Sequence, residues 1–186
     1  MKHLGTRPLE SDRILLRKIT LDDAHDMYHN WASDPEVTRY LTWSAHQSID
    51  DSKAIVERMV ASNQNIDAYM WCIQHKADNK VIGTIDLVSV NERNECGVIG
   101  YCMSRAYWGQ GIMSEALSMI MKYLFEDVGF HRLEATYLVE NPASGKVMIK
   151  NGMLHEGTQR KKFKGHDGEF HDLALYGIIK DDYFNK

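Results

Sequence analysis

Apolar residues change their spacing several times along this chain, and each change predicts an element. Arg13-Ile14-Leu15-Leu16-Arg17-Lys18-Ile19 reads as a first strand. Thr20-Leu21-Asp22-Asp23 sets a hydroxyl three positions before an acid, a capping-box variant that predicts a helix start. Asp34-Pro35-Glu36 predicts a second start with proline in the first turn, and Ser48-Ile49-Asp50-Asp51 a third. After it, Ile55, Val56, Met59 and Val60 recur at helical spacing. The middle of the chain turns β-branched, with strands predicted over 69–75, 80–90 and 95–103 and polar turns at 77–79 and 91–94. From Gly111 the period lengthens again. Met113, Leu117, Ile120 and Leu124 mark one helical face, and Gly129 fits its stop. Arg132 to Val139 alternates, with Leu133, Ala135, Tyr137 and Val139 on one face. Asn141-Pro142 opens a short helix ending near Asn151-Gly152, and two strands follow around a turn at His166-Asp167-Gly168. Hairpins mixed with crossovers predict an α/β (α+β) protein whose sheet is mixed rather than wholly parallel.

Composition narrows the function classes. At 186 residues, 44% of them hydrophobic, with no repeat, low-complexity tract or linker, one continuous domain is the simplest organisation. A net charge of −4 argues against a strongly basic nucleic-acid binder. No apolar run reaches the roughly 18 residues of a membrane span, and the first twenty residues show no apolar leader segment. Three cysteines without a C-x-x-C pair point away from a disulfide scaffold or cysteine zinc site and toward a reducing cytoplasm. His25 and His29 have the i, i+4 spacing of a metal pair but no third ligand nearby, so they read as exposed helix residues and no metal is expected.

The stretch Gly100 to Ala116 carries the chemistry. A strand ends there, and Gly109 and Gly111 stand immediately before the strongest helix. Alternate glycines let backbone N–H groups converge, and the helix start adds its unpaired N–H groups and positive dipole end. Together they suit a phosphate or pyrophosphate. The simpler alternative is a pair of glycines that merely turns the chain. No Gly-Lys-Ser/Thr occurs, so this is not a P-loop; a dinucleotide fingerprint would need glycine at Ser114.

Trp108-Gly-Gln-Gly-Ile-Met113 resembles the acetyl-CoA pyrophosphate loop of the GNAT superfamily of N-acetyltransferases. The resemblance extends to its RimJ/RimL-type, ribosomal-protein N-terminal branch. Arg13-Ile-Leu-Leu-Arg17, Asp34-Pro-Glu-Val37, Val81-Ile-Gly-Thr-Ile85, Gly100-Tyr101, Tyr107-Trp-Gly-Gln-Gly111, Glu115-Ala116, Asn141-x-x-Ser144, Lys150-Asn-Gly-Met153 and Glu156-Gly157 carry it, in order. It implies one GNAT domain over residues 9–181, with a mixed, mostly antiparallel, splayed central sheet flanked by helices on both faces. Two positions depart from the superfamily pattern. Trp108 replaces Gln/Arg, as is usual in this branch. Met113 replaces a small residue, so its side chain must point away from the phosphates.

The resemblance also implies roles. The backbones of Tyr101 and Met103 would pair with pantetheine. Gly109, Gln110, Gly111, Ile112, Met113 and Ser114 would surround the pyrophosphate, and Asn141 would reach the cofactor from the other side. Tyr101 and Met103 equally suit plain sheet positions, and Asn141 suits the N-cap of its helix. Ser144 would donate a hydrogen bond to the leaving thiolate, since the superfamily's alternative tyrosine position is Met148. Tyr40 and Trp43 lie in the loop that borders the acceptor cleft in the family. The co-substrate is acetyl-CoA. The acceptor is a primary amine attacking directly, foremost a protein N-terminal α-amine of ribosomal type. A polyamine or aminoglycoside, or a non-catalytic acyl-CoA-binding or sensing module, are the alternatives. No direct nucleic-acid role is expected, and monomer and homodimer are both open. The basic run Arg160 to Lys164 reads as a solvated strand edge or as a docking segment for an acidic or RNA-rich target.

No general base is evident. The family's glutamate after Glu-Gly falls in Gln159-Arg-Lys-Lys-Phe-Lys164, and its strand glutamate falls at Val98. Glu95, His131, Asp86 and Glu156 remain, and the expectation is that ordered water carries the proton instead. At neutral pH, deprotonating an α-amine of pKa 7.7–8.0 costs about 1 kcal/mol, against about 4.6 for a lysine amine.

Overall fold

The alternating run near the N-terminus becomes a short strand in which Ile14 and Leu16 are fully buried. The computed structural model describes residues 1–185. Its elements begin with strands β1 (Leu9–Glu10) and β2 (Ile14–Arg17) and helices α1 (Ala24–Met27), α2 (Pro35–Thr38) and α3 (Ile49–Ser62). Strands β3 (Met70–His75), β4 (Lys80–Asn91) and β5 (Cys96–Met103) follow, then α4 (Ile112–Lys122) and β6 (Arg132–Leu138). The chain closes with α5 (Pro142–Lys150), β7 (Leu154–Lys164), β8 (Phe170–Ile179) and α6 (Lys180–Phe184).

Among the described residues the strands form one eight-stranded open sheet in the order β1-β2-β3-β4-β5-β6-β8-β7. β5–β6 is parallel, whereas β1–β2, β2–β3, β3–β4, β6–β8 and β7–β8 are antiparallel. This is the mixed, mostly antiparallel sheet expected. No helix of the described residues is long and apolar enough to cross a membrane. The chain divides into two units, an N-terminal one (His3–Asp86 with Tyr101–Ala116) and a C-terminal one (Met1–Lys2, Leu87–Gly100 and the chain from Leu117).

In the N-terminal unit the predicted helix starts hold. Thr20 and Asp23 form a capping box, as do Ser48 and Asp51, while Asp34 accepts from the Glu36 N–H at 2.9 Å with Pro35 in the first turn. Asp23 also grips Arg17 with both carboxylate oxygens, each 2.8 Å from a guanidinium nitrogen. The apolar face of α3 presents Val56 to a buried cluster with Met27, Trp31, Val37 and Cys72, and Trp43 and Cys102 pack against it.

In the C-terminal unit Gly129 ends the long helical run in the left-handed region at φ +88°, its N–H bonded to the Leu124 carbonyl at 2.9 Å. The parallel ladder pairs Cys96–Ile99 with Arg132–Ala135 and stops there, although β5 itself runs on to Met103. One expectation needs correction. The alternation carries the strand to Val139 on one face with Leu133, Ala135 and Tyr137, but β6 ends at Leu138, which is buried, and Val139 is 42% exposed. The chain turns there, with the Asn141 N–H on the Leu138 carbonyl at 2.6 Å, so the alternation breaks one residue early. The basic run lies exposed on β7, where a bulge between Gln159 and Phe163 sets Lys161 at φ +52°. The terminal helix α6 was not anticipated.

Candidate active site

Two glycines shape the bend before α4. Gly109 has φ +73° and Gly111 φ +75°, a region that side chains with a Cβ avoid. A Cβ added at Gly109 would meet nothing within 4 Å, so the outer side of the bend is open. The first helical bond runs from the Glu115 N–H to the Gly111 carbonyl at 3.0 Å. The N–H groups of Ile112 and Met113 therefore precede the first helical bond, in the opening turn. Met113 is only 6% exposed, which draws its side chain inward as the departure from the family pattern requires. Open space, left-handed glycines and a helix start together fit a diphosphate.

Side chains brace this bend from outside. Arg13 Nη1 donates to the Gln110 carbonyl at 2.9 Å, its Nε donates to Glu115 Oε2 at 2.7 Å, and its other guanidinium nitrogen faces the same oxygen. Burial pushes the Glu115 carboxyl up, but bonds from Ser11 and Arg13 outweigh it and hold the group below the usual range. The Tyr107 hydroxyl donates to Asp78 Oδ2 at 2.6 Å, and His75 Nδ1 lies 2.7 Å from the same oxygen. The Trp108 indole N–H donates to the Met103 carbonyl at 2.8 Å, leaving the ring 48% exposed. None of these bonds engages a backbone N–H of Gly109–Met113; they shape the bend through its carbonyls and side chains.

The same unit carries Tyr101, Met103, Tyr40 and Trp43. Met103 is buried, and its carbonyl already accepts one bond. Tyr40 is half-buried with the Arg39 guanidinium 5.3 Å from its ring centre, and the Trp43 and His46 rings meet at a tilt with centres 5.3 Å apart. His46 Nδ1 lies 2.7 Å from the fully buried Ser52 hydroxyl, and burial pushes the His46 pKa down, which keeps the imidazole neutral.

Asn141 and Ser144 belong to the C-terminal unit. Asn141 occupies the N-cap position of α5, yet its side chain makes no cap bond; its carbonyl accepts the Ser144 N–H at 3.1 Å. Gly145 lets the helix lie directly on β6, since a Cβ there would fall 2.5 Å from the Tyr137 ring. That close approach sets the position of the neighbouring Ser144. Met148 is 1% exposed, an apolar core residue.

The four base candidates part ways. Glu156 is ion-paired with Arg132, which also holds Glu134 at 2.7 Å. Glu95 faces the Met1 amino group, and that bond holds its pKa below the usual range. His131 is exposed. Asp86 is different: it is half-buried, no hydrogen bond or ion pair of its carboxyl occurs among the described residues, and burial pushes its pKa up to about 7. The Arg13 brace and the isolation of Asp86 left no local motif. An acid inside the apolar run Val81–Val90 was the one available signal. Among the described residues no group of three or more His, Cys, Asp or Glu could hold a metal ion, and the His25 and His29 rings lie tilted with centres 4.2 Å apart.

The family model described as acetyltransferase (GNAT) domain matches residues 13–154. An uncharacterized N-acetyltransferase of Bacillus subtilis (strain 168), YoaA, is 30% identical over 172 residues, covering 92% of this chain and 96% of its own length. The ribosomal-protein-serine acetyltransferase of Escherichia coli (strain K12) is 29% identical over 142 residues, 76% of this chain and 78% of its own. A solved GNAT-family acetyltransferase from Bacillus anthracis superposes with a TM-score of 0.82 at 26% identity, over 94% of this chain and 99% of that one. RimL, a ribosomal L7/L12 alpha-N-protein acetyltransferase solved with coenzyme A, shares the fold with a TM-score of 0.85 at 22% identity, over 95% and 99%. The chain belongs to the GNAT acetyltransferase family. It is an N-acetyltransferase, and acetyl-CoA is the co-substrate its family membership assigns.

Proposed function

We propose that this chain, as one GNAT domain over residues 9–181, transfers acetyl from acetyl-CoA to a protein N-terminal α-amine of ribosomal type. The observation that carries the cofactor side is the open bend of Gly109–Ser114 at the start of α4. Its backbone N–H groups hold the pyrophosphate, with Gln110 at the tip, and the strand backbones of Tyr101 and Met103 pair with pantetheine. Asn141, whose side chain is not used for capping, contributes a polar contact. When bound, acetyl-CoA supplies the acetyl group as an activated thioester. Ser144 donates a hydrogen bond to the sulfur as it gains charge, and Tyr40 and Trp43 border the acceptor. The α-amine reading is supported by the kinship to a ribosomal-protein-serine acetyltransferase and by the small cost of deprotonating such an amine at neutral pH.

Thiol release from acetyl-CoA, measured across peptides with free N-termini, polyamines and aminoglycosides, tests this. Turnover with the peptides is expected. Turnover of polyamines or aminoglycosides alone would replace the acceptor, and CoA binding without release for any amine would leave a binding module.

Two substitutions separate the roles. Ser144→Ala is expected to lower kcat about 10- to 100-fold, the worth of a hydrogen bond to a charged group, with CoA affinity unchanged. Arg13→Ala is expected to raise the KM for acetyl-CoA about fivefold by loosening the Gln110 carbonyl, with kcat nearly constant. Its effect on stability should stay within about 1 kcal/mol, because the Arg13–Glu115 pair is partly solvent-exposed. Steady-state kinetics and a denaturant melt check both.

A further inference from the structure

We infer that Asp86 is the general base of the transfer, taking a proton from the acceptor's ammonium, and that its setting matches an α-amine rather than an alkyl amine. The inference rests on the acetyltransferase reading above and adds the residue that takes the proton.

The geometry comes from one sheet face. On β4, Asp86 lies opposite Met70 in the β3 ladder, and Thr84, two residues earlier, lies opposite Cys72. Side chains two apart and directly across a ladder share a face, so Asp86, Thr84, Met70 and Cys72 project to the same side. The Thr84 hydroxyl lies 3.4 Å from the Cys102 thiol, which brings β5 onto this face at the residue between Tyr101 and Met103. Cys72 belongs to the cluster against which Cys102 and Trp43 pack. Asp86 thus shares the face on which Thr84 meets Cys102 of the strand assigned to the cofactor, and Cys72 of that face belongs to the cluster against which Trp43 packs.

Its electrostatics are those of a waiting base. The carboxyl is largely withdrawn from water yet half-buried rather than sealed, with no donor among the described residues to stabilise its charge. Burial alone lifts it to about 7. Cys102 is the titratable neighbour that feels its charge, and burial lifts that thiol to about 11, so it stays neutral and does not perturb Asp86. A carboxyl at about 7 receives a proton from an α-ammonium at an equilibrium disadvantage of only about tenfold. For a lysine-type ammonium of pKa 10.4 the disadvantage exceeds about a thousandfold.

The proton balance closes. The nitrogen of R–NH3⁺ loses one proton to the Asp86 carboxylate, and its freed lone pair forms the N–C bond to the acetyl carbonyl as the C–S bond breaks. A second proton leaves the nitrogen and ends on the departing sulfur. Asp86 then returns its proton to solvent. The products are R–NH–acetyl, CoA thiol and H⁺.

The test compares wild type and Asp86→Asn with acetyl-CoA and a short peptide bearing a free N-terminus, from pH 6.5 to 9.5. At pH 7, kcat is expected to fall about tenfold, the shortfall in free amine for an α-ammonium of pKa 7.7–8.0, with CoA affinity by calorimetry within about twofold. The deficit should narrow toward pH 9.5, where the amine deprotonates unaided. Wild type should also favour that peptide over an N-capped lysine peptide by at least about 100-fold in kcat/KM. If Asp86→Asn does not melt cooperatively, Asp86→Ala with added formate replaces it, and restored turnover is expected. A loss under threefold at pH 7, a deficit constant across the pH range, no formate rescue of Asp86→Ala, or parity between the two peptides overturns the inference alone. Wild type that releases no thiol with any amine overturns the acetyltransferase reading and this inference with it.

Discussion

Asp86→Asn is expected to make the protein more stable above neutral pH while slowing it. In the folded chain the carboxyl titrates at about 7, against an ordinary value of 3.8. Below about pH 4 the acid is protonated in both folded and unfolded chains and costs nothing. As pH rises, the unfolded chain ionises first and is favoured, so the wild type loses stability through the window from about 4 to about 7. At 1.36 kcal/mol per pH unit that window is worth about 4 kcal/mol at most, and above it the loss is complete. Asparagine has nearly the same shape and polarity without the titrating proton. The variant should therefore match wild type near pH 4 and exceed it by up to about 4 kcal/mol at pH 8. Denaturant melts at the two pH values check this; equal stabilities at pH 8, or the same gap at both, would show that the carboxyl is not held against its charge.

Gly83→Ala is the second large effect, and here the cause is space. A Cβ at Gly83 would lie 2.4 Å from the Cys102 carbonyl oxygen and 2.9 Å from the Met103 Cα. Both are backbone atoms of β5, so no rotamer change relieves the clash. The neighbouring bond from the Ser104 N–H to the Ile82 carbonyl at 2.7 Å would have to lengthen. A loss of about 3 kcal/mol or more is expected, the range of overpacked cores. Because the displaced residues border the positions assigned to pantetheine, the KM for acetyl-CoA should rise in the same variant. A denaturant melt alongside acetyl-CoA kinetics reads both, and a variant as stable as wild type would mean that β4 and β5 tolerate separation at this point.

Local chemistry announced much of the architecture. Thr20, Asp34 and Ser48 each cap where their spacing predicts, since a cap bond spans only two or three residues. Gly109 and Gly111 carry their left-handed angles for a similarly local reason. The failure at Val139 is equally physical: alternation describes a strand but does not say where a turn interrupts it. Base candidates could not be ranked from the chain alone. Glu156 and Asp86 are both strand acids, yet Arg132, 24 positions from Glu156, neutralises one, and among the described residues nothing does so for the other.

The order of residues was enough to establish the helix starts, the mixed sheet and the glycine bend before α4, because each depends on backbone preference and on neighbours within a turn. Long-range packing alone settled which acid is isolated, which is paired, and that Arg13 clasps the Gln110 carbonyl from 97 positions away. Charge stabilisation depends on what stands within a few ångströms in space, and that distance is set by the folded sheet rather than by separation along the chain.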